Sequence, residues 1–213
     1  MMKEIHFFDN EKTLYGHLLC PDFPKAWVVF AHGSGSSRKS IRNNFVASEL
    51  NKSEFACLLF DLLTEVEDRI YSNRFDIELL AHRLLLATHW LIKSDFYHDE
   101  PIAFFGASTG SASALVAASQ IPTSIPLFTI ISRGGRPDLA GNEILEKITW
   151  PVLLIVGSED REVMDLNIKA SHFLSSSKVV SIPGAQHLFE EPGALEQVTR
   201  IVGDWLLAYL PKN

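Results

Sequence analysis

The sequence predicts an α/β fold in which helices cover both faces of a mostly parallel, eight-stranded sheet. Short apolar runs alternate with helical patterns almost from end to end, which is typical of this architecture. Most of the runs are apolar at every position, as expected of strands that are buried on both faces. The length of 213 residues suits one domain of this class, spanning residues 1–213.

The strands can be assigned from these runs in chain order. Residues 3–8 and 14–20 are predicted to pair as a hairpin around the polar turn at 9–12. The further predicted strands lie at 27–31, 56–60, 102–105, 127–131, 152–156 and 178–182. Apolar residues at helical spacing predict helices at 43–50, 76–92, 111–118, 163–173 and 194–210.

One stretch, residues 62–73, carries no regular pattern. It joins the strand at 56–60 to the long helix predicted at 76–92. Two roles are open for it, a lid over a binding site or a surface loop, and the surface loop is favoured. The rest of the chain contains no internal repeat or low-complexity segment that would indicate a second architecture.

The pentapeptide Gly106-Ala107-Ser108-Thr109-Gly110 is the most informative motif in the chain. It follows a predicted strand and precedes a predicted helix, which is the arrangement of a nucleophile elbow. Side chains at the two glycine positions would collide with the neighbouring strand and helix, so glycine is expected there. The turn would present the Ser108 hydroxyl above the carboxyl edge of the sheet, beside a helix N-terminus that stabilises negative charge.

A serine nucleophile requires a base and an acid that orients the base. His187 is the predicted base because it lies in the loop after the last strand and follows Ser108 in the chain. Asp160, just after the strand at 152–156, is the predicted acid. Its position also suits a helix cap, and Asp138, after the preceding strand, is a second possible acid.

The oxyanion that forms during acyl transfer requires backbone N–H donors. Thr109, the residue after the nucleophile, is predicted to supply one of them. The loop at 32–37 reads HGSGSS, and its glycines would allow a backbone amide to approach the substrate closely. Ser34 is the preferred second donor, and Gly35 is nearly as good a candidate.

Two arginines, Arg133 and Arg136, follow the strand at 127–131 and should emerge at the same edge of the sheet as Ser108. A guanidinium there could hold a carboxylate or phosphate of the substrate through paired hydrogen bonds. The alternative is a structural role in which an arginine fixes the loop by pairing with an acid. The acids that could serve are Asp138, Asp61 and Glu65.

The chain also resembles the α/β-hydrolase superfamily over nearly its whole length. The segments HGSGSS, FGASTGSASAL, SRGGRPDLAG, LLIVGSED and PGAQHLFEEPGALE are similar to those of small dienelactone-hydrolase-like hydrolases. The resemblance implies a triad of Ser108, Asp160 and His187, with little or no cap domain. Some members of this group are fused to phosphoribosyltransferase domains, and no such domain is expected here. True dienelactone hydrolases carry a cysteine nucleophile where this sequence has Ser108, so lactone specificity is not implied.

We therefore expect a serine hydrolase of carboxylesterase type that cleaves small ester or thioester substrates through an acyl-enzyme. No cofactor and no metal is expected to take part. One alternative is a catalytically silent binding module with the same fold. Another is a P-loop-like nucleotide-binding protein. Residues 33–40 miss the GxxxxGK[ST] pattern only because Arg38 replaces a glycine, and Asp61 closes a strand as a Walker B aspartate would.

Composition and charge narrow the possible partners. The net charge of −7 and the lack of a basic stripe argue against nucleic acid. No stretch approaches the roughly 18 consecutive apolar residues of a membrane span, so no membrane association is expected. The charged start MMKEIHFFDNEK does not suit a signal peptide, and a cytoplasmic location is predicted. The expected partner is a small-molecule ester substrate, and the sequence does not predict the oligomeric state.

Overall fold

The computed structural model describes residues 2–212, and it contains one open sheet of eight strands. The strands are β1 (Met2–Asp9), β2 (Lys12–Leu19), β3 (Ala26–Ala31), β4 (Phe55–Phe60), β5 (Ile102–Ala107), β6 (Leu127–Arg133), β7 (Val152–Gly157) and β8 (Ser177–Ile182). All the strands predicted from the sequence are present, and their bounds agree to within about two residues.

The strand order is β1-β2-β4-β3-β5-β6-β7-β8. Strand β2 pairs antiparallel with both β1 and β4, and the remaining neighbours pair in parallel, which confirms the predicted mostly parallel sheet. From β3 the chain moves outward to β4 and then crosses back to β5, on the other side of β3. This reversal makes the carboxyl ends of β3 and β5 a topological switch point, where open α/β sheets bind their ligands.

Helices cover both faces of the sheet, as predicted. The α-helices are α1 (Ile41–Lys52), α2 (Glu65–Asp68), α3 (Ile77–Ile92), α4 (Thr109–Gln120), α5 (Asn142–Leu145), α6 (Arg161–Ser171) and α7 (Ala194–Tyr209). Helices α1 and α7 pack on one face, whereas α3, α4 and α6 pack on the other. No helix within residues 2–212 is long and apolar enough to cross a lipid bilayer.

The central strands form a rigid, buried platform. Every residue of β3, β4, β5 and β7 is buried, as expected of continuous apolar runs covered on both faces. Phe30 and Phe105 pack with ring centroids 4.6 Å apart on the side of α1 and α7. Trp27 and Leu84 belong to the core on the opposite side. The loops at the carboxyl ends of these strands are therefore held on a fixed support.

Residues 62–73, the stretch without a regular pattern, contain α2 and the start of a 3-10 helix (Tyr71–Phe75). Thr64 and Glu67 form a capping box at the start of α2. The Glu67 carboxylate also accepts hydrogen bonds from Lys12 of β2 and from the fully buried Arg83 of α3. These contacts tie the segment both to the N-terminal hairpin and to α3.

Candidate active site

The serine of the pentapeptide occupies a strained turn between β5 and α4. Ser108 has φ 52° and ψ −121°, a combination that residues other than glycine rarely adopt. A Cβ on Gly106 would lie 2.4 Å from the Gly110 carbonyl oxygen, and a Cβ on Gly110 would lie 2.2 Å from the Ala31 carbonyl oxygen. Both distances are far below van der Waals contact, so the predicted requirement for glycine at the two positions is confirmed.

His187 connects Ser108 to Asp160. Its Nε2 atom lies 3.3 Å from Ser108 Oγ, and its Nδ1 atom lies 2.6 Å from Asp160 Oδ2. An ionised carboxylate only accepts hydrogen bonds, so the proton of the neutral imidazole is on Nδ1 and Nε2 is left as the acceptor. The structure thus brings together the three residues predicted as nucleophile, base and acid, from the loops that follow β5, β8 and β7.

The two candidate acids have different partners. Asp160 occupies the N-cap position of α6, yet its side chain makes no capping hydrogen bond. Its carboxylate contacts His187 instead. The carboxylate of Asp138 accepts hydrogen bonds from Nε and Nη2 of Arg136, at 2.9 and 2.7 Å. Of the two, Asp160 is therefore the one positioned to orient the imidazole.

The predicted oxyanion donors belong to Thr109, the first residue of α4, and to Ser34 in the loop after β3. We call residues 32–37 the glycine loop. Within residues 2–212, neither N–H group donates to another backbone carbonyl. The loop approaches the nucleophile closely, since a Cβ on Gly33 would lie 3.0 Å from Ser108 Cβ. Ser34 lines the same cavity as Ser108, whereas Gly35 does not, which favours Ser34 as the second donor.

His32 is a site residue for which the sequence analysis predicted no role. Its Nδ1 lies 3.0 Å from the Gly33 carbonyl oxygen, and its Nε2 lies 3.0 Å from the Leu62 backbone nitrogen. Because a carbonyl only accepts and a backbone N–H only donates, the imidazole is neutral with its proton on Nδ1. Burial lowers the pKa of His32 and favours this neutral form. The ring ties the glycine loop to the end of β4, and its signal in the sequence is a histidine directly after a buried strand.

Known proteins identify the fold that carries this arrangement. Residues 24–200 match the family model described as an alpha/beta hydrolase domain. The chain belongs to the α/β-hydrolase family. Dienelactone hydrolase from Anabaena variabilis, known from a crystal structure, is 43% identical in sequence to this hydrolase. The two structures superpose with a TM-score of 0.92, and the match covers 99% of both chains. Est1E from Butyrivibrio proteoclasticus, at 18% identity, shares the fold with a TM-score of 0.84, covering 98% of this chain and 99% of its own.

Two curated relatives of the hydrolase come from Mycobacterium tuberculosis. Each is 50% identical over 209 residues, which are 98% of this chain and 46% of the relative. Both carry the name "Putative phosphoribosyl transferase". The chain therefore spans about half the length of the curated relatives it matches, and the name describes those longer proteins.

The two predicted substrate-binding arginines of the hydrolase have different surroundings. Arg133, the last residue of β6, lines the cavity that contains Ser108 and His187. Arg136 does not line this cavity, and its guanidinium is held by Asp138. The structural role considered for these arginines therefore fits Arg136, and Arg133 stays the candidate for substrate binding.

Two sizeable cavities of the hydrolase and a small one, of about 10 Å³, adjoin the glycine loop. One of about 190 Å³ contains Ser108 and His187. The other, of about 530 Å³, is lined by Tyr15 and Arg38. Ser36 borders both. The larger cavity is therefore a neighbour of the site that holds the nucleophile. The segment at 62–73 borders the larger cavity and the small one, but not the cavity of Ser108.

The residues that resemble a P-loop make other contacts in the hydrolase. Arg38 binds Asp61 through its guanidinium, and its backbone N–H also donates to Asp61 Oδ1 at 2.8 Å. A Walker B aspartate must be free to hold a magnesium ion, whereas Asp61 is engaged by a cation. This geometry does not favour the nucleotide-binding alternative. Within the part of the chain that the structure describes, no group of three or more His, Cys, Asp or Glu is arranged to hold a metal ion.

Proposed function

We propose that this protein is a serine hydrolase of carboxylesterase type that acts on small ester or thioester substrates. The observation that carries the proposal is the hydrogen-bond chain from Ser108 Oγ through His187 to Asp160. Such a chain combines a hydroxyl nucleophile, a base with its acceptor nitrogen free and a carboxylate that holds the base. The strained turn at Ser108 adds support, because it keeps the hydroxyl at the switch point of the sheet.

Acylation begins when Ser108 Oγ attacks the carbonyl carbon of the substrate and His187 Nε2 accepts the hydroxyl proton. The carbonyl electron pair moves to the oxygen, and the N–H groups of Thr109 and Ser34 stabilise the resulting oxyanion. Asp160 holds the imidazolium through its Nδ1–H. When the intermediate collapses, the imidazolium gives its proton to the departing alcohol or thiol, and the acyl group stays on Ser108.

Deacylation repeats these steps with water as the nucleophile. His187 Nε2 takes a proton from the water, whose oxygen adds to the acyl carbon. The second oxyanion occupies the same donors, and Ser108 Oγ then leaves with the proton from the imidazolium. The products are a carboxylic acid and the free enzyme. The cycle consumes one water molecule and requires no cofactor.

The proposed activity belongs to the half of the longer relatives that this chain matches. Their name refers to phosphoribosyl transfer. The hydrogen bonds that link Ser108, His187 and Asp160 support acyl transfer instead. We therefore do not extend the transferase name to this segment of sequence.

We also propose a cytoplasmic location. The thiols of Cys20 and Cys57 are free, and free thiols are typical of proteins in a reducing compartment. Burial raises the pKa of Cys57, so its thiol is protonated and unreactive.

The proposal can be tested by replacing the nucleophile. Ser108→Ala should reduce the hydrolysis of p-nitrophenyl butyrate by about 10⁵- to 10⁶-fold in kcat, because the acyl-enzyme cannot form. The same variant should lose covalent labelling by a fluorophosphonate. Ser36→Ala is the matched control, since Ser36 lines the same cavity without a place in the hydrogen-bond chain. This control should keep both labelling and hydrolysis.

Two outcomes would contradict the proposal. Undiminished labelling of the Ser108→Ala variant would mean that another residue is the nucleophile. A wild-type protein that binds esters but neither hydrolyses them nor reacts with the fluorophosphonate would be a silent binding module instead.

A further inference from the structure

Arg133 is a buried cation, and two of its donor atoms have no acceptor within residues 2–212. Its side chain forms part of the wall of the Ser108 cavity, and the residue is only 7% exposed. Its Nε and Nη1 atoms are buried and make no hydrogen bond within residues 2–212. No carboxylate in this part of the chain lies within ion-pairing distance of the guanidinium. A guanidinium in this state is incomplete, because buried donors of native proteins are normally satisfied.

The position of Arg133 in the sheet explains its place beside the nucleophile. It pairs in parallel register with Ala107, the residue directly before Ser108. Its carbonyl oxygen accepts a hydrogen bond from the Ser108 backbone N–H at 3.2 Å. The Arg133 backbone is thus fixed to the nucleophile elbow, and its side chain lines the same cavity as Ser108.

A second arginine approaches the same cavity from α1. Arg42 donates from Nη1 to Glu190 at 2.7 Å, while its Nε is buried without an acceptor. It lies in the first turn of α1, which contains no acidic residue. The neighbouring Asn43 is 2% exposed, and its Oδ1 has no donor in the described part of the chain. Several buried polar atoms along this wall are therefore left without a partner within residues 2–212.

The charges of the wall favour an anion. Arg42 and Arg133 are among the residues that line the cavity, and none of the lining residues is Asp or Glu. The start of α1 adds the positive end of a helix dipole. Burial, together with the charge of Arg42, lowers the pKa of Arg133 to about 10. Even so, the Arg133 guanidinium remains protonated at neutral pH, and the cavity therefore attracts negative charge.

We propose that Arg133, assisted by Arg42, binds an anionic group of the substrate, so that this hydrolase prefers esters carrying a carboxylate or phosphate close to the scissile bond. The inference rests on the proposed function of Ser108 and gives it a substrate class. The planar guanidinium suits either anion, because both accept paired hydrogen bonds from the two donors of one fork. Arg136, although it is close in sequence, is excluded from this role because Asp138 occupies its fork.

Selectivity between two matched esters tests the inference. We would measure kcat/KM for p-nitrophenyl hydrogen glutarate and for the neutral p-nitrophenyl valerate. The wild type should prefer the anionic ester. In the Arg133→Met variant the ratio of the two kcat/KM values should fall about 10- to 100-fold, which corresponds to one or two charge-assisted hydrogen bonds. Arg42→Met should lower the ratio less, because Glu190 already shares its charge. Arg136→Met is the control and should leave the ratio unchanged.

Binding without turnover separates this inference from the proposed function. Glutarate or inorganic phosphate should raise the melting temperature of both the wild type and the Ser108→Ala variant, and should do so much less for Arg133→Met. That result would support the anion site even if Ser108 were not the nucleophile. The anion with the larger effect would identify carboxylate or phosphate as the preferred group.

Three results would overturn the inference. The first is a wild type that shows no preference between the two esters. The second is an Arg133→Met variant with equal losses on both esters and a lower melting temperature, which would establish a structural role. The third is a stabilisation by glutarate and phosphate that is the same in Arg133→Met as in the wild type. Arg133→Lys, which keeps the charge but loses the fork, should retain part of the selectivity and would show that charge as well as shape contributes.

Discussion

Arg83 and Arg133 are both buried arginines, yet their surroundings are opposite. Arg83 is fully buried, and its guanidinium lies 2.9 Å from Asp9 and 2.8 Å from Glu67. Arg133 is 7% exposed and has no carboxylate partner within residues 2–212. Breaking a buried ion pair is costly because it leaves one charge without a partner, so Arg83 serves the fold. Arg133, whose Cζ lies 5.9 Å from the Phe189 ring centroid, keeps two donors for the ligand that we propose. Burial alone therefore does not distinguish a structural arginine from a binding one, and the partner does.

The same distinction separates Asp138 from Asp160. Each lies near the start of a helical turn after a neighbouring strand. Asp138 is compensated by Arg136, whereas Asp160 is bound to His187, which in turn reaches Ser108. We therefore expect substitutions in the ion pairs of Arg83 and Arg136 to change the stability of the fold. Substitutions in the triad of Ser108, His187 and Asp160 should change the ester-hydrolase activity.

The largest expected effect is on turnover, from Asp160→Asn. An amide at this position would donate to His187 Nδ1 and so leave the imidazole proton on Nε2. Nε2 could then no longer accept the hydroxyl proton of Ser108. We expect kcat to fall by about 10⁴-fold. The melting temperature should change little, because the Asp160 side chain caps no helix. Initial-rate kinetics on p-nitrophenyl butyrate and a thermal melt would measure the two quantities.

Asp138→Asn is the matched control for this experiment. It removes the charge that pairs with Arg136 and should leave kcat nearly unchanged. A larger loss of kcat in Asp138→Asn than in Asp160→Asn would move the acid to the preceding strand and would break the comparison.

The next largest effect is on stability, from Glu67→Gln. Burial alone would raise the pKa of Glu67, but hydrogen bonds from Lys12, Thr64 and Arg83 outweigh it and lower the pKa from 4.5 to about 2. The ionised carboxylate therefore stabilises the fold above pH 4.5, and this stabilisation is lost as the pH falls from 4.5 toward 2. At neutral pH the substitution should lower the free energy of unfolding by about 3 kcal/mol, since it weakens a buried ion pair.

Urea unfolding at several pH values would check this expectation. The difference in unfolding free energy between the wild type and Glu67→Gln should shrink as the pH falls through the range from 4.5 to about 2. A difference that stays constant with pH would show that the carboxylate charge is not responsible. A folded Glu67→Gln variant that no longer hydrolyses esters would contradict the structural role of Glu67.

The smallest effect should come from Arg136→Met in the loop after β6. The Arg136–Asp138 pair is partly exposed, with side chains 36% and 26% accessible. Exposed pairs contribute about 1 kcal/mol or less, because water screens the charges. Urea unfolding should therefore detect only this small loss, and the kinetics on both the neutral and the anionic ester should be preserved. A loss of unfolding free energy as large as that of Glu67→Gln would show that the exposed Arg136–Asp138 pair stabilises the fold substantially.

Much of the fold and the nucleophile could be predicted because their signals are local. Consecutive apolar residues indicate a buried strand, as in β5, and the spacing of apolar residues indicates a helix. The elbow needs glycine within two residues on each side of Ser108, and the clash distances at Gly106 and Gly110 show why. Ser108, Asp160 and His187 each follow the end of a predicted parallel strand, which places all three at the carboxyl edge, since parallel strands end on one side.

The partners of the charged residues were not predictable in the same way. Asp160 and Asp138 each lie a few residues after a predicted strand, as do Arg133 and Arg136, so position alone could not separate the members of either pair. The role of His32, which fixes the glycine loop by bonding to Leu62, was missed because the two residues are distant in the chain.

The sequence by itself determined the strands, the helices, the strained serine turn and the residue types available at the carboxyl edge of the sheet. The tertiary structure alone decided which carboxylate meets His187, which arginine is neutralised and which one is left with free donors beside Ser108. The physical reason is range. Backbone conformation and apolar periodicity act over a few neighbouring residues, whereas an ion pair or a hydrogen bond depends on distances of a few ångströms between segments that only folding brings together.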